Sequence, residues 1–448
     1  MTLKQAFIYT ISVFILLCLV SYVAIGQPRK ISMQEAVQLS LTNNRNLKLF
    51  SLEVDKFHQE IRVAKSQQLP SAGINGQVAH FFEVPAFFGF GATGNTDKIP
   101  YGRFGGRGQA SAALYVSQPL FNATTRPGLQ YARLQEQYGK LAYADQKTMI
   151  VSVLQQTYIQ LLVLEERIKL QQESLQRNNK ALQDARSLLA QGRALRVDTL
   201  RAYTSVKNLE PDLLKLDNAI QTGRQQLKNL IGLDSLQEIE LTDSLTLPQP
   251  SVMLSEAEIY KEARSNRADL QGLNIQQQLA DQQIKLAGAS KKPVVSLNAQ
   301  YLVQTQVNRF NYFNAYYPST PFAAVLVTVP LFSGFRNNAK IQQRILEKQQ
   351  SQLQTTAAYE ELRTEVKQVV AGVHETTARI QTSANVKKTA LLSYDITQYR
   401  YAKGVASRLE LTDAELALTA AQSSYLEAVY DYLSSVIALE RTTGKTGE

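Results

Sequence analysis

Three carboxylates stand in a pattern that could act on ions. Asp198 follows Gly192 by six residues, and Glu410 follows Gly404 by six. Asp413 lies three positions beyond Glu410, so the two share one face of a helix. Acids that open a helix ordinarily serve its dipole. Projected at one height by identical copies around a pore, they would form rings of like charge, a device that selects ions. Other chemistry has little to stand on. "GFGATG" (Gly89–Gly94) matches the dinucleotide fingerprint, but it lies in an aromatic loop with no helix pattern after it. His58, His80 and His374 are far apart and lack metalloprotease spacing, and His374 is expected to be solvated or to pack on a helix. There is no nucleophile elbow or phosphate loop. No catalytic, cofactor-binding or metal site is expected, and no enzymatic activity.

The elements that carry the acids occur twice. Glu35, Asn43, Leu47 and Pro70 recur as Glu258, Asn266, Leu270 and Pro293. "SQPLFN" ending at Asn122 returns as "TVPLFS" ending at Ser333, and the segment around Gly192 returns around Gly404. Each copy reads as helix, strand, strand, very long helix, glycine turn, return helix. The first repeat is assigned to 27–233, with a β-hairpin at 70–119, a long helix at 125–190, a tip at 191–196 and a return helix at 197–231. The second is assigned to 254–444, with a β-hairpin at 293–330, a long helix at 336–403, a tip at 404–408 and a return helix at 409–439. Residues 234–253 link them, and 445–448 form a tail. "EIELTDSLTL" in the linker alternates like a short strand. A repeat that cannot bury its own apolar face must stack on others.

The long segments hold one glycine each and no proline from about Leu129 to Ala190 and from Arg336 to Lys403. Each would run roughly 90–100 Å as a helix. Leu154, Leu161, Ile168, Leu175, Leu182 and Leu189 are seven apart, with Ile150, Thr157 and Leu164 between them. Leu362, Val366, Val369, Val373 and Ile380 follow the same rule in the second copy. These are narrow heptad seams between wide polar faces. Pro211 is expected to kink the first return helix.

Ala6–Ile25 is an uncharged apolar run behind Lys4, ending in Ala24-Ile25-Gly26 before Gln27. This reads as a secretory signal peptide over 1–26, cleaved between Gly26 and Gln27. The single cysteine, Cys18, lies inside it behind Leu17, which is too large for a lipoprotein cleavage site. The mature chain then has no thiol or disulfide. The net charge of +10 arises from Lys and Arg spread among Gln and Glu along helices, which argues against nucleic acid.

The strands alternate over about ten residues. Val295, Leu297, Ala299, Tyr301 and Val303 interleave with Ser296, Asn298, Gln300 and Gln304. Ala110, Ala112, Leu114 and Val116 interleave with Gln109, Ser111 and Ser117, and further strands fit Ile74–Glu83 and Ala323–Val329. One apolar and one polar face is the pattern of a transmembrane β-strand, and the Phe- and Tyr-rich loops suit its interface. A sheet in lipid must close. Four strands are too few to close alone, so several copies must share one barrel.

These features resemble the TolC-like outer-membrane efflux family. The shared pieces are the opening from Glu35 to Leu47, Pro-Leu-Phe ahead of each long helix, and the stretch from Tyr401 to Ala414. The resemblance implies an α+β membrane protein, in which long antiparallel coiled-coil helices form a periplasmic α-barrel. It implies four strands per subunit in a homotrimeric, twelve-stranded outer-membrane β-barrel. It implies an exit duct for a tripartite efflux or type I secretion system, with a periplasmic adaptor and an RND- or ABC-type inner-membrane pump as partners. The alternative is a periplasmic coiled-coil protein of structural or adhesive role. Glu410 and Asp413 fall where the family can place acidic rings at its periplasmic gate. Asp198 and Tyr401 fall where it ties the entrance shut, with Arg408, Arg193 or Arg196 standing in for an arginine that is Ala406 here. The tips at Gly192, Arg193, Gly404 and Val405 are expected to dock the adaptor.

Overall fold

The computed structural model describes residues 29–88, 101–245 and 255–445. The proposed cleavage site at Gly26 and Gln27, the signal segment and the "GFGATG" motif (Gly89–Gly94) lie outside them.

In chain order the described elements are β1 (Arg29–Ile31), α1 (Met33–Asn43), α2 (Arg45–Ser66), β2 (Ser71–His80), β3 (Ala86–Phe88), β4 (Tyr101–Arg103), β5 (Gly108–Asn122) and α3 (Thr125–Ala190). They continue with α4 (Arg196–Ile231), β6 (Ile239–Leu241), α5 (Glu256–Asn266), α6 (Ala268–Ala289), β7 (Val294–Val307), β8 (Ser319–Thr328), α7 (Arg336–Ala402) and α8 (Arg408–Thr443).

The one helix expected ahead of each hairpin is two. The first break is at Asn44, whose carboxamide oxygen accepts from the Asn46 and Leu47 amides and so caps α2. Its Nδ2 donates to the Leu230 carbonyl at 2.8 Å, fastening the break to the end of α4. The matching break is at Arg267, which is bidentate to Asp269 and also reaches Glu365 at 2.6 Å. One repeat position thus makes the same corner by two chemistries. Pro211 does not end α4, which continues on both sides of it. The strand expected in the linker is β6, which pairs in parallel with β1.

The chain does not divide at its linker. Among the described residues, one compact unit comprises 29–52, 141–245, 255–272 and 356–445, and the other comprises 53–88, 101–140 and 273–355. Each draws on both repeats, and in the first unit Ile159 and Val163 of the first repeat pack with Leu426 and Ile437 of the second. In the first unit Ile31, Ala36, Leu154, Tyr158, Leu161, Leu227 and Ile231 form the main core. The Tyr158 hydroxyl donates to the Ile31 carbonyl at 2.9 Å, so the buried ring leaves no polar atom stranded. Leu362 and Val366 of the second seam are buried likewise.

The second unit holds an antiparallel sheet in the order β2-β5-β7-β8. β5 and β7 come from different repeats and share the longest ladder, with a register shift between Pro119 and Phe121. Proline lacks the amide that a regular ladder needs. Register aligns like with like: Ile74, Leu114 and Tyr301 lie in one row, and Ser117 pairs with Asn298. The Ser117 hydroxyl donates to Asn298 Oδ1 at 2.7 Å. Ile74, Val78, Tyr301 and Val325 are exposed, so among the described residues nothing covers the apolar face. β8 departs from the expected alternation. Phe322 and Leu326 fall opposite Gln300 and Ser296, on the polar side. The strand bounds also lie earlier in the chain than expected, at Ser71–His80 rather than Ile74–Glu83 and at Ser319–Thr328 rather than Ala323–Val329. None of these four strands contains Asp, Glu, Lys or Arg.

Candidate functional site

The two tips are built by one backbone device. α3 ends at Ala190, and Gly192 takes φ 71°. Its amide donates to the Leu189 carbonyl at 2.9 Å, and the Arg193 amide donates to Leu188 at 2.8 Å. α7 ends at Ala402, and Gly404 takes φ 75°. Its amide donates to Tyr401 at 2.9 Å, and the Val405 amide donates to Arg400 at 2.9 Å. Both are Schellman reversals, which satisfy the last helical carbonyls and need a residue tolerant of positive φ. Arg193 and Val405, one residue past each glycine, are exposed.

The return helices start differently. α8 carries a full capping box: the Glu410 amide donates to the Ser407 hydroxyl oxygen at 3.2 Å, and the Ser407 amide donates to Glu410 Oε1 at 3.3 Å. Those bonds, with Arg400 Nη1 at 3.9 Å from Oε2, hold the Glu410 carboxyl below the usual glutamate value. α4 starts after Leu195, which has no side chain to cap with.

The acids and tyrosine named from the sequence are placed as follows. Glu410 and Asp413 are exposed, one turn apart at the start of α8. Glu410 is therefore a capping residue as well as a surface charge. Tyr401 and Arg408 are brought together, with the guanidinium 5.9 Å from the ring centroid across the turn. Asp198 is half-buried in the first turn of α4. Among the described residues no hydrogen bond or ion pair joins Asp198 to Tyr401 or Arg408. Ala406 is 8% exposed, and an arginine could not fit there without displacing its neighbours.

Sequence reasoning missed the buried polar centre behind the tips. Glu415 of α8 is 6% exposed. Its Oε1 accepts from Asn178 Nδ2 at 3.0 Å and from Arg177 Nε at 3.2 Å. Asn178 also donates to the Ser174 carbonyl at 3.0 Å. The Arg177 guanidinium stacks 5.9 Å from the Tyr394 ring, which packs with Leu411 and Leu418. Burial pushes the Glu415 carboxyl up, and Arg177 pulls it back only in part. A signal was available. Asn178 falls in the heptad seam between Leu175 and Leu182, and Glu415 falls between Leu411 and Leu418. One polar residue in each of two apolar seams marks a register-setting contact.

The outer membrane efflux protein family model matches residues 36–233 and 259–445. The protease secretion protein PrtF of Dickeya chrysanthemi is 22% identical over 97% of this chain and 92% of its own length. The toluene efflux pump outer membrane protein TtgF of Pseudomonas putida is 23% identical over 92% of this chain and 83% of its own. The Campylobacter jejuni CmeC outer membrane channel superposes with a TM-score of 0.76 at 14% identity, covering 93% of this chain and 87% of that one.

Proposed function

Because the chain belongs to the outer membrane efflux protein family, we propose that three copies form one outer-membrane exit duct. The observation that carries this reading is the sheet. It has two edge strands, β2 and β8, an exposed apolar face and no charged residue in its four strands. Such a sheet is unfit for water and unfit for lipid until its edges pair. Three copies give twelve strands and a closed barrel, with the Gln, Asn and Ser face toward the lumen. The long helices, apolar only along narrow seams, extend the duct into the periplasm.

The duct serves a tripartite efflux or type I secretion system, joined through a periplasmic adaptor to an RND- or ABC-type pump. PrtF belongs to protease secretion and TtgF to toluene efflux, so relatives of both kinds support the coarser function. The tips at Gly192, Arg193, Gly404 and Val405 dock the adaptor. Glu410 and Asp413 stack as two acidic rings at the periplasmic mouth. Asp198 engages Arg408 or Tyr401 of a neighbouring helix pair when the mouth is shut, and among the described residues its half-buried carboxylate makes no such bond. The test is single-channel recording of the purified protein in a planar bilayer, with mass photometry on the same sample. Discrete cation-preferring currents from a three-chain particle are expected. A monodisperse monomer without conductance would leave the structural, non-transporting reading in its place.

A further inference from the structure

The end of the sheet that adjoins the helices is basic, apolar and free of acid. The register aligns Asn122, Val294 and Thr328, so the end of β5, the start of β7 and the end of β8 meet there, and β2 starts at the same end. Lys291 and Lys292 immediately precede that row, Arg126 follows β5, Arg336 opens α7, and Lys65 lies in the last turn of α2. All five are exposed. No Asp or Glu occurs anywhere from Gln282 to Leu346, nor between Glu60 and the loop beyond β2. A solvated helical surface in this chain intersperses both signs, and this stretch does not.

Large apolar side chains stand among these charges. Leu331 is 93% exposed, Phe332 76% and Phe335 72%. Phe332 and Phe335 meet edge to face at 5.4 Å and are otherwise uncovered. Phe335 also sits at φ 61°, a conformation unusual for an aromatic residue. The fold holds this ring outward in a strained backbone, and exposure to water gains it nothing. In the same unit Phe121 and Leu120, the first repeat's counterparts of Phe332 and Leu331, are exposed too.

Basic groups beside outward aromatics, continuous with an exposed apolar sheet face, match a bilayer interface: rings at the acyl boundary and cations at the phosphates. We propose that this collar binds the headgroups of anionic phospholipids. The occupant is the phospholipid leaflet on the helix side of the sheet, and its phosphates are held by Lys291, Lys292, Arg126 and Arg336. The inference rests on the reading that the sheet spans the outer membrane, and it adds a lipid preference to that reading. Charge complementarity favours the lipid, because five exposed cations with no carboxylate in the neighbouring chain segments suit phosphate groups.

The experiment uses the full chain in dodecyl maltoside micelles. Thermal unfolding is followed while dioleoylphosphatidylglycerol, or dioleoylphosphatidylcholine as the neutral comparison, is titrated in. For wild type, the anionic lipid is expected to raise the midpoint at lower concentration than the neutral one, with the difference shrinking at 0.5 M salt. Lys291→Gln with Lys292→Gln should weaken the apparent affinity for the anionic lipid by about fivefold per charge and leave the neutral lipid's effect alone. Lys215→Gln, an exposed lysine on α4, should change neither. Equal responses of wild type to the two lipids would overturn the proposal, as would a double variant with an undiminished response. A change in particle mass by photometry without any lipid dependence would assign the collar to contact between copies and equally overturn it. Conductance is measured in parallel. A conducting channel indifferent to anionic lipid rejects the collar alone, whereas a non-conducting one rejects the underlying reading.

Discussion

Asn178 and Glu415 are 237 positions apart, and one hydrogen bond of 3.0 Å joins them inside a coiled-coil seam. It ties the long helix of the first repeat to the return helix of the second. Arg177 makes the tie ionic.

Removing one partner should hurt more than replacing several. Glu415→Ala removes the carboxylate that Arg177 and Asn178 share, leaving Asn178 only the Ser174 carbonyl, and should cost about 3 kcal/mol. Asn178→Leu with Arg177→Met and Glu415→Leu should be far milder, since apolar groups of similar volume fill the seam. Chemical denaturation monitored by circular dichroism compares them. A triple variant as unstable as Glu415→Ala would argue against a seam role.

The two glutamates behind the second tip should respond to pH in opposite directions. Burial raises the Glu415 carboxyl in the folded chain. Its charged form therefore opposes folding, a penalty absent below the ordinary glutamate value and growing as pH rises through the raised value. Glu415→Gln should gain on wild type as pH rises from acid to neutral. Capping bonds lower Glu410. Its stabilisation is present above the ordinary value and lost as pH falls through the lowered one. Glu410→Gln should flatten that acid loss. Stability measured from pH 3 to pH 7.5 separates the two variants by the sign of their slopes.

The tips should fray unequally. α8 starts with a capping box and α4 with Leu195 alone. Amides of residues 196–200 should exchange faster with deuterium than those of 408–412. Ser407→Ala should remove the difference, at about 1 kcal/mol, and Leu195→Ser should reduce it from the other side.

Export should need both reversals. Gly404→Leu and Gly192→Leu force a branched residue into positive φ, at about 1 kcal/mol or more, and reshape the tip. Each should abolish complementation in a strain lacking its own exit duct, at normal outer-membrane abundance. Full complementation by Gly404→Leu would move adaptor docking elsewhere.

Selectivity and closure should come apart. Glu410→Gln with Asp413→Asn keeps the cap geometry and removes the charges, so the reversal potential of the open-channel current should shift away from cations while resting conductance stays low. Asp198→Ala with Tyr401→Phe should raise resting conductance and leave selectivity intact. An unshifted reversal potential in the first variant would reduce those acids to helix-start residues.

Much of this was readable because each element carries its own signal. The heptad seams lay in leucines seven apart, the reversals in Gly192 and Gly404, and three strands in alternation. Asn44 and Arg267 were hidden because a helix break made by a cap or an ion pair leaves no proline or glycine behind. β8 resisted because Phe322 and Leu326 erase its period. The Asn178–Glu415 contact needed two seams to be compared across the linker, and neither shows its partner locally.

The interleaving of the repeats bears on how such a chain could arise. β5 finds β7 and Asn178 finds Glu415, each in the opposite copy. A half-length ancestor would have met the same contacts only as a pair of separate molecules, at whatever concentration the cell supplied. Fusion makes every encounter intramolecular, with an effective concentration in the millimolar range. It also frees the two halves to diverge. The bare Leu195 start and the boxed Ser407 start are what identical partners could not have kept apart.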